Sequence, residues 1–337
     1  MRRRCALFSI MVLATACGPS PSTGGPAQPR LPPAAEPAVS PPLGAAPAGT
    51  IVRVGPQPEG IVADSPSHRV AVGIRDPDRL ALLDTATGQV TTTVALRGHL
   101  RHLQLAAPGG PVLVPDENSN RLLTVALPDG RITGEIATGR SPHDATRAAN
   151  GRVFAANENG RSVAVTQDGK LVHTFTDVTQ PAGLAAAGDL VGLVDVRQND
   201  LSVYDAAALT RVARLPAGAG PTHVVADRRG RFAVIDTRGG AVLTFDPAAP
   251  AHPLGRLDLP GTPYGVAYDA RHDQLWVTLT AKNQLVGITL AGTVPRVFAT
   301  IPTVRQPNTV AIDSATGIRY VTGTADGTVE IIPPEAA

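Results

Sequence analysis

One phrase recurs seven times along the chain and limits its fold more than any other feature. Its clearest copy runs Pro58-Glu59-Gly60-Ile61-Val62-Ala63-Asp64, Arg69-Val70-Ala71-Val72, Arg79-Leu80-Ala81-Leu82-Leu83-Asp84 and Gly88-Gln89-Val90-Thr91-Thr92-Thr93-Val94. Short alternating runs separated by turn residues read as four β-strands. The opening returns at Leu100, where the proline is missing, and then at Pro142, Pro181, Pro221, Pro263 and Pro307, at steps of 42, 42, 39, 40, 42 and 44 residues. A four-strand unit at this pitch is a propeller blade. The expected fold is therefore all-β, a seven-bladed β-propeller with four-stranded antiparallel blades.

The seventh copy is incomplete. Thr309-Val310-Ala311-Ile312, Ile318-Arg319-Tyr320-Val321 and Thr328-Val329-Glu330-Ile331-Ile332 supply three strands, and Pro333-Pro334 ends the pattern. The missing outer strand has a candidate at the other end of the domain, Thr50-Ile51-Val52-Arg53-Val54. Pairing the termini closes the ring and removes an exposed sheet edge, so the propeller is expected over 50–337.

The first residues read as an export signal. Arg2, Arg3 and Arg4 precede an apolar run from Ala6 to Ala14 that is too short to remain as a membrane span. Leu13-Ala14-Thr15-Ala16-Cys17 resembles a bacterial lipobox, although Ala14 stands where leucine is usual. The resemblance implies a signal peptide over 1–16, lipidation of Cys17 and a membrane-anchored protein on the extracytoplasmic face. Residues 17–49 are rich in Pro, Ala and Gly without apolar periodicity, and are expected to form a disordered tether. The other cysteine, Cys5, lies in the signal, so the folded domain has no disulfide. Removing the three signal arginines takes the formal charge from +2 to −1. With only Lys170 and Lys282 as lysines and no basic run, nucleic acid is not an expected partner.

The phrase Pro-x-Gly-hydrophobic-Ala, followed by a strand ending near Asn or Asp, resembles the YVTN repeat of bacterial seven-bladed propellers, the YncE-like group. Val153-Phe154-Ala155-Ala156-Asn157 stands in the place of the Tyr-Val-Thr-Asn segment, and Tyr320-Val321-Thr322-Gly323 departs from it only at the last residue. Leu82 to Val90 matches the family's turn into the outer strand. The resemblance implies a fold and leaves activity open, because such propellers host binding modules, lactonases and lyases. Other classes fit less well. There is no Trp-Asp pair, and the single tryptophan, Trp276, does not supply the docking motif of quinoprotein dehydrogenases.

Propeller ligands usually meet the residues around the central channel. The second residue after the repeated proline gives a ring of Gly60, His102, Asp144, Gly183, His223, Gly265 and Thr309, and the residue before it gives Glu59, Arg101, His143, Ala182, Thr222, Tyr264 and Asn308. His102, His143, Asp144 and His223 are the candidate ligand-binding residues at one channel mouth. No cofactor is required, but His102, Asp144 and His223 have the donor types of a divalent-metal site. The loops Asp116–Asn120, Asn157–Asn159, Arg197–Asp200 and Asp236–Arg238 form a second set, read chiefly as turns stabilised by their own side chains, with a shared acidic-amide rim for a cation or a sugar as the alternative. Trp276, Tyr264 and Tyr268 read as core fillers of the sixth blade. No nucleophile motif is present. The expected function is a monomeric envelope module that binds a small molecule, a peptide or an envelope protein. The alternatives are a metal-assisted lactonase or lyase and a protein-assembly factor with an apolar face.

Overall fold

The computed structural model describes residues 32–292 and 294–336. The signal region and Cys17 lie outside the described residues. Seven four-stranded antiparallel sheets follow one another in chain order. In the third blade, for example, Pro142–Arg147 is innermost, followed outward by Val153–Asn157, Ser162–Gln167 and Lys170–Phe175. Each sheet packs against both neighbours, so its middle strands are buried on two faces. Their burial is accordingly near-continuous, as in Arg69–Ile74, and does not alternate as the sequence reading expected. Val112–Asp116 is buried at every position, whereas the outer strand Ile132–Ala137 of the same blade is exposed or half-buried throughout.

The core lies between blades. Phe154 and Phe175 of the third blade meet Tyr204 of the fourth, with Phe175 and Tyr204 ring centroids 4.4 Å apart. Trp276 of the sixth blade packs edge-on against Phe298 and lies under the guanidinium of Arg319 from the seventh, 4.3 Å from its centroid. Trp276 is thus the inter-blade filler expected of it.

The ring closes as the repeat count requires. Thr50–Arg53 is the outer strand of the last blade, with Thr50 opposite Ile331 and Val52 opposite Val329. The fully buried Glu330 reinforces the seam. It accepts hydrogen bonds from the Gly49 amide at 2.8 Å, the Val304 amide at 2.9 Å and the Thr303 hydroxyl.

The tether expected over 17–49 needs correction at its end. Residues 32–49 form no strand, yet they run as an extended strap over the loops of blades five to seven before entering the closing strand. Composition explains why sequence reading leaves this segment free, since only Ala35 is a buried apolar residue in it. Hydrogen bonds to its main chain hold it instead, among them Ala38 N–H to Thr280 Oγ1 at 3.0 Å and Ala48 N–H to the Pro302 carbonyl at 3.2 Å.

Candidate functional site

The innermost strands begin around the channel, and their first residues depart from regular pairing. The ladder shifts register between Pro142 and Asp144, Pro181 and Leu184, Pro221 and His223, Pro263 and Val266, and Pro307 and Val310. A bulge of this kind re-aims side chains. Repeated around the ring, it presents the residues after each proline to the axis. In the second blade, which lacks the proline, the innermost strand shrinks to Gln104–Leu105, and His102 sits ahead of it. Close packing dictates which ring positions bear side chains. A Cβ on Gly265 would lie 2.5 Å from the Asn308 carbonyl oxygen, and one on Gly60, at φ +75°, 2.9 Å from that of Arg101.

The three predicted histidines meet. The His102 ring lies 4.6 Å from His143 and 4.7 Å from His223, and Tyr264 packs edge-on against His223 at 4.6 Å. Tyr264 therefore belongs to this aromatic layer and not to the inter-sheet core. Above the layer, Ala34, Ala35 and Glu36 of the strap lie over the upper mouth, with Glu36 4.0 Å from Arg101. Strap and imidazoles meet at this end of the channel. Below them a cavity of about 430 Å³ opens to the other face, lined by the innermost strands of the blades together with His102, Gln104, Asp144, Arg147, His223 and Tyr268. Each innermost strand is the free edge of its sheet, so backbone N–H and C=O groups without ladder partners line the wall.

Asp144 lies deeper than the histidines and is tied to the wall. Its carboxylate accepts from the Leu184 amide at 2.8 Å, its own neighbour Ala145 at 2.8 Å, and the Gln104 amide at 3.0 Å. Gln104 also donates to the Leu184 carbonyl at 2.7 Å, which joins blades two, three and four. The nearest imidazole nitrogen, His102 Nδ1, is 3.9 Å away. Among the described residues no three His, Cys, Asp or Glu side chains are arranged to hold a metal ion, so the expected set of His102, Asp144 and His223 is not assembled. The physical reason is that Asp144 directs its oxygens to amides, while the imidazoles pack on one another as tilted rings, 49° and 31° apart, rather than turning their nitrogens to one point.

Burial and charge divide the three histidines. Burial holds His102 well below the ordinary imidazole pKa, with the nearby His143 and His223 charges adding to it. Burial takes His223 down to about 3. Its Nδ1 meets Thr222 Oγ1 at 3.0 Å, while Nε2 is buried without a hydrogen-bond partner among the described residues. Burial also disfavours charge on His143, but the adjacent carboxylates of Glu117 and Glu158 outweigh it and raise its pKa. Its Nδ1 stands 3.3 Å from Glu117 and 3.4 Å from Glu158. Burial raises Asp144 to about 7 against the opposing pull of the Leu184 amide.

Glu117 and Glu158 lie outside the expected ring and come from the loops between the second and third strands, the second set of candidates. The signal for them was the acidic residue that directly follows Asp116 and Asn157. The strand-end residues themselves turn inward. Asp236 accepts from the Ala219, Gly220 and Gly239 amides, and Asp195 from Thr179, Gln180, Arg197 and Gln198. These carboxylates hold turns, as their composition implies.

No protein-family model matches the sequence, and no curated protein matches it. Solved structures do resemble it. Hydrazine synthase of Kuenenia stuttgartiensis superposes with a TM-score of 0.72 at 17% identity, covering 84% of this chain and 97% of that one. Virginiamycin B lyase of Staphylococcus aureus gives 0.69 at 14% identity, covering 84% and 99%. The Swd1 β-propeller domain of Myceliophteria thermophila gives 0.68 at 14% identity, covering 84% and 98%. At such identities the likeness shows a common fold: this chain is a β-propeller.

Proposed function

We propose that the protein is an exported, lipid-anchored propeller of the YVTN-like kind that binds a small polar molecule in its central channel. The observation that supports this most is the cavity below the imidazoles. It holds about 430 Å³, within the roughly 300–1,000 Å³ range of small-molecule sites. His102 and His223 line its inner end, Gln104 and Asp144 give it hydrogen-bonding groups, and unpaired strand edges offer more around the wall. A ligand with several donors and acceptors on its periphery suits such a lining. Fragment screening of the full chain by ligand-observed NMR, beside a Gln104→Leu variant, tests the reading. Binders that weaken at least tenfold in the variant support it, and a library with none sensitive to Gln104→Leu removes it.

Asp144, near 7 at the inner end of the channel and beside His102, favours a second reading, acid–base chemistry of the lactonase or lyase kind. Turnover in a lactone and lyase screen that is lost in Asp144→Asn distinguishes it from binding alone. The assembly-factor reading draws no support from the surface. Exposed large apolar residues such as Ile51, Val90, Ile132, Leu171, Val212 and Val297 are spread over the outer strands of six blades rather than gathered on one face.

A further inference from the structure

The strap contacts form a reading head for an extended peptide. Gln306 spans two residues of main chain, with Nε2 donating to the Ala38 carbonyl at 2.8 Å and Oε1 accepting from the Ser40 amide at 2.9 Å. Thr280 Oγ1 accepts from the Ala38 amide at 3.0 Å, and Asn283 Nδ2 donates to the Pro41 carbonyl at 2.9 Å. The Ser40 hydroxyl donates to the Thr280 carbonyl at 2.6 Å and accepts from the Gln306 amide at 3.0 Å. Within 37–41 the two amides used are those of Ala38 and Ser40. Pro37 and Pro41 have none to leave unpaired, and Val39 points to solvent at 94% exposure.

Main-chain reading of a proline-flanked extended segment, with one side chain selected, is how pre-extended peptides are recognised at low ordering cost. Here the selected side chain is serine. The segment is also held differently from a core element. Its anchors are hydrogen bonds at a half-exposed surface, where water competes for each of them, with Ala35 as the one buried apolar contact. Segments with few buried apolar contacts open at low free energy.

We infer that the face formed by Thr280, Asn283 and Gln306 is a binding site for extended Pro-Ala-x-Ser-Pro segments of a partner protein, and that residues 37–41 are its resident intramolecular occupant. A linked occupant has an effective concentration on the order of millimolar, so a partner segment enters when the strap is weakened or when the partner is held nearby. The same exchange lifts Ala34–Glu36 from the upper channel mouth.

The test uses the full chain with Ala38→Pro and Ser40→Ala, which removes one amide donor and the serine contact on the surface. The probe is a fluorescein-labelled peptide of residues 33–43, followed by anisotropy. Saturable binding to this variant is expected, at least tenfold tighter than to the unaltered chain. Gln306→Ala added to the variant, or Ser40→Ala in the peptide, weakens it at least tenfold. Two results overturn the inference: no saturable binding up to millimolar peptide while the thermal transition is retained, or binding indifferent to Gln306→Ala. Pro37→Gly with Ser40→Gly loosens the same segment and replaces the first variant if that one fails to fold.

Discussion

His223 and Asp144 are both displaced from ordinary titration by burial, and the two displacements act on stability with opposite sign. For His223, depressed from 6.5 to about 3, the folded chain binds fewer protons than the unfolded one between these values. Its stabilisation is therefore present above pH 6.5 and lost as pH falls toward 3. For Asp144, raised from 3.8 to about 7, the folded chain binds more protons, so stability is lost as pH rises from about 4 to 7. Urea midpoints at pH 4.5 and 7.5 separate the two. His223→Gln is expected to lose less stability than the unaltered chain on going to pH 4.5. Asp144→Asn carries a cost of about 2 kcal/mol, because one amide loses its acceptor, and that cost is expected to be smaller at pH 7.5 than at pH 4.5. Equal differences at both pH values would show that neither group titrates in the window its burial implies. Sequence placed both residues on the ring, but not their depth or their partners. The bulge after each proline decides which of two adjacent side chains faces the axis, as with His143 and Asp144, and it is a feature of strand pairing that no single segment encodes.

The closing strand shows how much of the molecule hangs on one short element. The Val54 amide donates to the Gly327 carbonyl at 3.0 Å, and by the two-residue alternation Val52 also faces its ladder partner. Val52→Pro thus removes an inter-strand bond and is expected to cost about 3 kcal/mol. The edge of the last blade is then open to pairing with another copy, so light scattering should show association that the unaltered chain lacks. Glu330→Ala strips a buried acceptor from two amides and a hydroxyl, at a similar cost of about 3 kcal/mol, without opening the edge. Denaturant melts showing equal loss, with association in Val52→Pro alone, fit these separate roles. The seam itself was legible, because a three-strand remainder and an orphan strand at opposite ends of one repeat array have one economical solution. The strap before it was not, since Ala38 and Ser40 are held by side chains from distant loops and carry no apolar signal of their own.

Anchoring belongs to the protein as a unit. Under the proposed lipidation, Cys17→Ser is expected to move the protein from the membrane fraction to the soluble extracytoplasmic fraction and to abolish incorporation of labelled palmitate; retention in the membrane fraction without label would exclude it. The sequence by itself determined the blade count, the four strands of each blade, the closing strand and the ring positions of His102, His143 and His223, because these follow from a period that every copy repeats. Only the tertiary structure decided that Asp144 is spent on Gln104 and Leu184, that Glu117 and Glu158 hold the charge of His143, and that residues 32–49 lie across the upper face. Those features arise where different blades and the strap come within hydrogen-bonding distance. Such proximity is set by the curvature of the closed ring, which periodicity along the chain does not specify.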